Sequence, residues 1–127
     1  MLQNILIVDD QPEMLELMKD ILEPEGFAVT TLVYVDDIVS CVTQHQPDLV
    51  ILDHLLAGVN GGELCREIKN HPLTAALPVI LLSGFPRLRE AFGDFGSDAF
   101  IAKPFDINTL INTVKSYLAD GHMLAHA

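Results

Sequence analysis

Asp53 closes the apolar run Asp48-Leu49-Val50-Ile51-Leu52, with no Gly or Pro between the run and the acid. A carboxylate at the end of a buried strand is either a cap on the next loop or a working group. Two other run ends favour the working group. Ile5-Leu6-Ile7-Val8 also ends in acid, Asp9-Asp10, and Ala99-Phe100-Ile101-Ala102 ends in Lys103-Pro104. Three carboxylates and one ammonium outline a metal and phosphoryl site. Ser83 closes a fourth run, where its hydroxyl could bond a phosphoryl oxygen, although Ser83-Gly84 is also an ordinary turn.

The chemistry follows from the charges. If the strands carrying Asp9, Asp10 and Asp53 are neighbours, carboxylates ~5 Å apart repel by roughly 3 kcal/mol per pair at an effective dielectric of ~20. A hard divalent cation, Mg²⁺ or Mn²⁺, relieves this through oxygen ligands and keeps several waters. A backbone carbonyl after Asp53, that of Leu55, is a candidate further ligand. The alternative is that Asp9 and Asp10 merely cap a helix that begins near Pro12. Lys103 supplies a point charge suited to a phosphoryl oxygen. A cis bond to Pro104 would aim it inward; otherwise it is a surface Lys before a helix-initiating Pro. An ionised carboxylate is already a nucleophile and needs no general base. The five His form no ligand set, and His54, beside the site, is expected to face solvent.

The elements that position these groups alternate. Residues 4–9, 27–32, 48–53, 79–83 and 99–102 read as strands. Helical spacing predicts helices after Pro12, after an Asp36 cap, from about Gly62, and after an Asp106 cap, with Gly121 ending the last. Gly58 to Gly62 reads as a turn, and residues 86–95 carry only a weak helical pattern, with Gly93 inside it. Alternation of this kind predicts a doubly wound five-stranded parallel sheet with helices on both faces. Ligands bind such sheets outside the carboxyl ends of the strands, where all five polar groups fall.

Composition narrows the function classes. The chain has 127 residues, half of them hydrophobic, which suits one domain over residues 1–119 and a tail, 120–127. Eighteen acids against seven Lys and Arg give a net charge of −11, which argues against direct nucleic-acid binding. Cys41 and Cys65 lack metal-ligand spacing and are expected to be buried thiols. No apolar stretch approaches a membrane span and no signal peptide is evident, so a cytoplasmic location is expected. A Gly-rich dinucleotide loop is excluded by Asp9-Asp10-Gln11-Pro12-Glu13. An aspartate-nucleophile phosphatase would need an acid where Leu55 stands and a cap domain the chain is too short to hold.

Over residues 3–119 the chain resembles the receiver domain of two-component response regulators. The resemblance is carried by Ile7-Val8-Asp9-Asp10-Gln11-Pro12, Leu52-Asp53 with Gly61 eight residues on, Val79-Ile80-Leu81-Leu82-Ser83-Gly84, and Lys103-Pro104-Phe105. It implies the flavodoxin-like strand order 2-1-3-4-5. Asp53 would then be the phosphoacceptor, with Asp9 or Asp10, Asp53 and the Leu55 carbonyl on Mg²⁺. Ser83 and Phe100 would be the switch pair. The implied partners are a sensor histidine kinase or phosphotransfer protein and a downstream effector protein or domain, with a homodimer left open. The second reading is a receiver-like interaction module that does not depend on phosphorylation.

The chain departs from the family pattern at several positions. Leu56-Ala57 replaces a usual Met-Pro pair, Asn60 a usual Asp, Gly84 a common Ala, and Phe100 a frequent Tyr. The stretch from Ser83 to Lys103 is about two residues short, in the fourth helix. Leu55 and Phe85, which in this family flank the path of a hydrolytic water, are both apolar, so a long-lived aspartyl-phosphate is expected.

Overall fold

The structure, a computed structural model, describes residues 2–56, 59–85, 87, 93 and 95–126. The strands are β1 (Asn4–Val8), β2 (Ala28–Leu32), β3 (Leu49–Asp53), β4 (Val79–Ser83) and β5 (Ala99–Ala102). They form one sheet in the order β2-β1-β3-β4-β5, every neighbouring pair parallel. Helices α1 (Pro12–Leu22), α2 (Ile38–His45), α3 (Gly61–Asn70) and a C-terminal helix (Ile107–His126) connect and cover it. The fold and strand order are those expected from the sequence.

The central strands β1, β3 and β4 are apolar except at Asn4, Asp53 and Ser83 on their ends, because both faces are buried. Ile5, Ile7, Leu49, Ile51, Ile80 and Leu82 point to one face, where they meet Leu15, Met18 and Leu22 of α1 and Leu110, Val114 and Leu118 of the C-terminal helix. Leu6, Val8, Val50, Leu52, Val79 and Leu81 point to the other, against Ile38 and Val42 of α2 and Leu64, Cys65 and Ile68 of α3. Each fully buried Leu or Ile contributes roughly 1.5–3 kcal/mol, so these strands are the rigid part of the domain. β2, the more polar strand, lies at the edge with all five residues half-buried.

Register delivers the acids to one place. Val8 pairs with Leu52, so Asp9 leaves β1 beside Asp53. Ser83 pairs with Ala102, so Lys103 leaves β5 beside the end of β4, and its N–H bonds the Ser83 carbonyl at 2.7 Å. The Lys103–Pro104 bond is cis.

Four local expectations change. Asp37, not Asp36, caps α2: its carboxylate accepts the N–H groups of Val39 and Ser40, while Asp36 accepts the Tyr34 hydroxyl. Two adjacent acids gave the pattern no means of choosing between them. Of the expected turn over 58–62, Gly58 lies outside the described residues, Val59–Asn60 pair antiparallel with Leu55–Leu56, and α3 already begins at Gly61. The C-terminal helix continues past Gly121 to His126, because one Gly costs only about 1 kcal/mol and the flanking residues favour helix. Cys65 is buried as expected, but Cys41 is only half-buried. The weak helix read over 86–95 falls largely on residues outside those described.

Candidate phosphoryl and metal site

Asp9 sits fully buried just past β1. One carboxylate oxygen accepts the Gln11 N–H at 2.9 Å and turns the chain into α1. The other faces the Lys103 ammonium at 3.5 Å. The alternative helix cap is not formed: the N-cap residue of α1 is Gln11, without a side-chain cap bond, and Asp9 makes a local turn bond to the Gln11 N–H ahead of the helix. Asp53, at 6% exposure, lies closer to that ammonium, 2.7 Å from Oδ1 to Nζ. Carboxylate oxygens of Asp9, Asp10 and Asp53 all lie within 4.8 Å of one another. Asp10, Gln11, Asp53, Gly84, Phe85 and Lys103 line an open cleft of about 460 Å³ above them.

The charges nearly balance, and burial decides the remainder. Repulsion at 4.8 Å is about 3 kcal/mol for each acid pair, at an effective dielectric of about 20, while Lys103 at 2.7 Å returns about 6. Asp53 accordingly titrates above the ordinary carboxylate value. Burial is the main cause, the Lys103 hydrogen bond opposes it, and the charges of Asp9 and Asp10 add to it. A raised folded-state pKa means that the ionised carboxylate costs stability above that pKa, and the cost disappears as pH falls through it. Without divalent cation at neutral pH, Asp53→Asn is therefore expected to raise the thermal unfolding midpoint by roughly 3 °C or more, and the gain to vanish in acid. A lowered midpoint in neutral calorimetry would contradict this balance.

The donor set fits a divalent cation. Three hard oxygen donors converge, two of them on buried residues, and among the described residues Lys103 alone pairs with them. Leu55, whose carbonyl is the expected further ligand, opens the hairpin opposite Asn60, directly after the acid loop.

The other expected site residues divide into two groups. Ser83 is buried at the end of β4, and its Oγ accepts the Phe85 N–H at 3.0 Å. Phe85 is half-exposed and borders the cleft. Phe100 does not line the cleft; it lies opposite Leu81 on β5, half-buried against the core that α2 and α3 cover.

Two features went unread in the sequence. His54 is not solvent-facing but buried, because the next pleat position after Asp53 turns under the loops of Phe85 and Phe95. Burial holds its pKa below the ordinary value, against the opposing pull of the Asp53 charge. Gly61 lies against the Asp53 backbone, where a Cβ would come within 1.9 Å of the Asp53 carbonyl oxygen. The spacing of eight residues marked this Gly, but not the reason for it.

A doubly wound parallel sheet with three acids, a lysine and a hydroxyl at its carboxyl edge defines a phosphoryl-binding α/β domain. Comparisons with known proteins make the class specific. The response regulator receiver domain profile matches residues 5–115. The phosphate regulon transcriptional regulatory protein PhoB of Rhizobium meliloti is 37% identical over 120 residues, covering 93% of this chain. The chain spans about half of that regulator's length, 53%. A putative response regulator from Chloroflexus aurantiacus superposes with a TM-score of 0.85 at 31% identity, over 94% of this chain and 99% of that one. TrrA from Thermotoga maritima, solved in complex with Mg(2+)-BeF, superposes at 0.82 with 29% identity, over 91% and 99%. The chain belongs to the response regulator receiver domain family of two-component systems. Among the described residues no helix is long and apolar enough to cross a membrane.

Proposed function

We propose that Asp53 takes a phosphoryl group from a phosphohistidine on a sensor histidine kinase or phosphotransfer protein, and that the phosphorylated site changes a surface read by a downstream effector. The observation that carries this reading is the Asp53 carboxylate held 2.7 Å from Lys103, beside Asp9 and Asp10, at the floor of an open cleft. An Asp53 oxygen forms a bond to phosphorus. The bond from phosphorus to the donor imidazole nitrogen breaks, and its electron pair stays with that nitrogen. Lys103 offsets charge on the phosphoryl oxygens without reorganising. Mg²⁺ or Mn²⁺, held by Asp9, Asp10, Asp53 and the Leu55 carbonyl, would supply further positive charge at those oxygens.

Ser83 then releases the Phe85 N–H and turns its hydroxyl to a phosphoryl oxygen, with Phe100 turning inward beside it. The chain catalyses only its own phosphoryl transfer and slow loss. A net charge of −11 makes a direct nucleic-acid partner unfavourable. Incubation with a small acyl phosphate and Mg²⁺, followed by intact mass measurement, tests the reading. One added phosphoryl group, absent in Asp53→Asn, is expected. No adduct under any condition would favour an interaction module independent of phosphorylation.

Phosphoryl lifetime gives a second prediction. Leu55 and Phe85 offer no group to orient an attacking water, so the aspartyl-phosphate should persist. Leu55→Asn and Phe85→Glu should each speed its loss by about tenfold, since each adds a polar group that can orient or activate water. Decay no faster than in the unsubstituted protein, followed by mass over time, would remove this explanation.

A further inference from the structure

We infer that His54 is a positioning residue that props Phe85 across the Asp53 cleft and so sets how long a phosphoryl group on Asp53 survives; this rests on the phosphorylation proposed above. The backbone at His54 is pinned on both sides. Its N–H bonds the Leu82 carbonyl at 2.7 Å, and its carbonyl accepts the Gly61 N–H at 2.9 Å. The side chain direction is therefore fixed by β4 and α3. Its imidazole meets the Phe85 ring edge-on, with centroids 6.0 Å apart at 86°. That is a favoured aromatic geometry, and among the described residues His54 is the only ring packed against Phe85.

Behind His54 stands a brace. The Phe95 ring lies 6.1 Å from it, tilted by 32°. Phe95 in turn rests on Gly62 of α3, where a Cβ would come 2.7 Å from its ring, and under the Arg66 guanidinium at 4.7 Å. Phe95 holds a left-handed backbone, φ 58°, that a bulky residue adopts only when packing compels it. Phe85 itself is tethered by the bond from its N–H to Ser83 Oγ, the bond that Ser83 gives up on turning to a phosphoryl group. At that moment the contact with His54 is what keeps the ring over the cleft.

Simple core filling is a poor account of His54. Its Nδ1 is buried with no hydrogen-bond partner among the described residues, a cost that an apolar residue of similar size would not carry. His54→Leu should thus be at least as stable as the unsubstituted protein, yet lose its phosphoryl group about threefold faster or more. The test is a cycle of His54→Leu, Phe85→Leu and the double variant, each charged with an acyl phosphate and Mg²⁺. Mass is followed over time, and the unfolding midpoint of each is measured.

If His54 acts through Phe85, the double variant decays no faster than Phe85→Leu alone. Unchanged decay in His54→Leu, or effects that multiply in the double variant, would overturn the inference while leaving the phosphorylation reading intact. Absence of any adduct on the unsubstituted protein would overturn both.

Discussion

Lys103→Met is expected to slow phosphoryl uptake by Asp53 by about two to three orders of magnitude at saturating Mg²⁺, the scale on which a pre-placed charge contributes to a developing anionic transition state. The ammonium lies 2.7 Å from Asp53 and 3.5 Å from Asp9, so it stands where phosphoryl charge would arrive on the proposed acceptor. Methionine keeps the stem and removes the charge. It also removes the counter-charge that the described residues place on Asp9 and Asp53, so the variant should lean more heavily on added cation for stability. Arginine should restore only part of the rate, because a planar guanidinium cannot occupy the site of a compact ammonium at the same reach. Uptake within about threefold of the unsubstituted protein, read as adduct formation over time, would show that Lys103 is structural.

Gly61→Ala is the second large effect, and it acts on the backbone rather than on charge. A Cβ there meets the Asp53 carbonyl oxygen at 1.9 Å, the carbonyl carbon at 2.8 Å and the His54 Cα at 3.1 Å. These are main-chain atoms of a central strand end and cannot swing aside. Either α3 withdraws, breaking the bond from the Gly61 N–H to the His54 carbonyl, or the end of β3 moves and carries Asp53 with it. A loss of about 3 kcal/mol or more is expected in denaturant unfolding, together with slower phosphoryl uptake. Gly84→Ala is the control. Among the described residues nothing lies within 4 Å of a Cβ at that position, so its stability should stay within roughly 0.5 kcal/mol. Equal behaviour of the two variants would mean that the close approach of α3 to Asp53 has no energetic weight.

The sheet was legible because its residues obey one rule throughout. β1, β3 and β4 are apolar at nearly every position, which only a strand buried on both faces requires, and Pro and Gly punctuate the helices between them. Asp9, Asp10, Asp53, Ser83 and Lys103 were legible for the same reason, since a polar residue that closes such a run must stand at the sheet edge. His54 was not. One His after an apolar run carries no periodic signal, and its burial comes from Phe85 and Phe95, which arrive from later loops. The α2 cap was misplaced by one residue because Asp36 and Asp37 are chemically equivalent, and only the turn geometry separates them. The C-terminal helix overran its expected stop because a lone Gly121 is a weak terminator when no Pro follows it.

That Asp53 is the phosphorylated residue is the central claim, and reductive trapping tests it most directly. The protein is charged with an acyl phosphate and Mg²⁺, treated with borohydride, which reduces an aspartyl-phosphate to homoserine, and mapped by peptide mass. Homoserine at position 53, with Asp9 and Asp10 unchanged, is the predicted result. Homoserine at position 9 or 10, or a phosphoryl adduct that leaves residue 53 as aspartate, would contradict the claim.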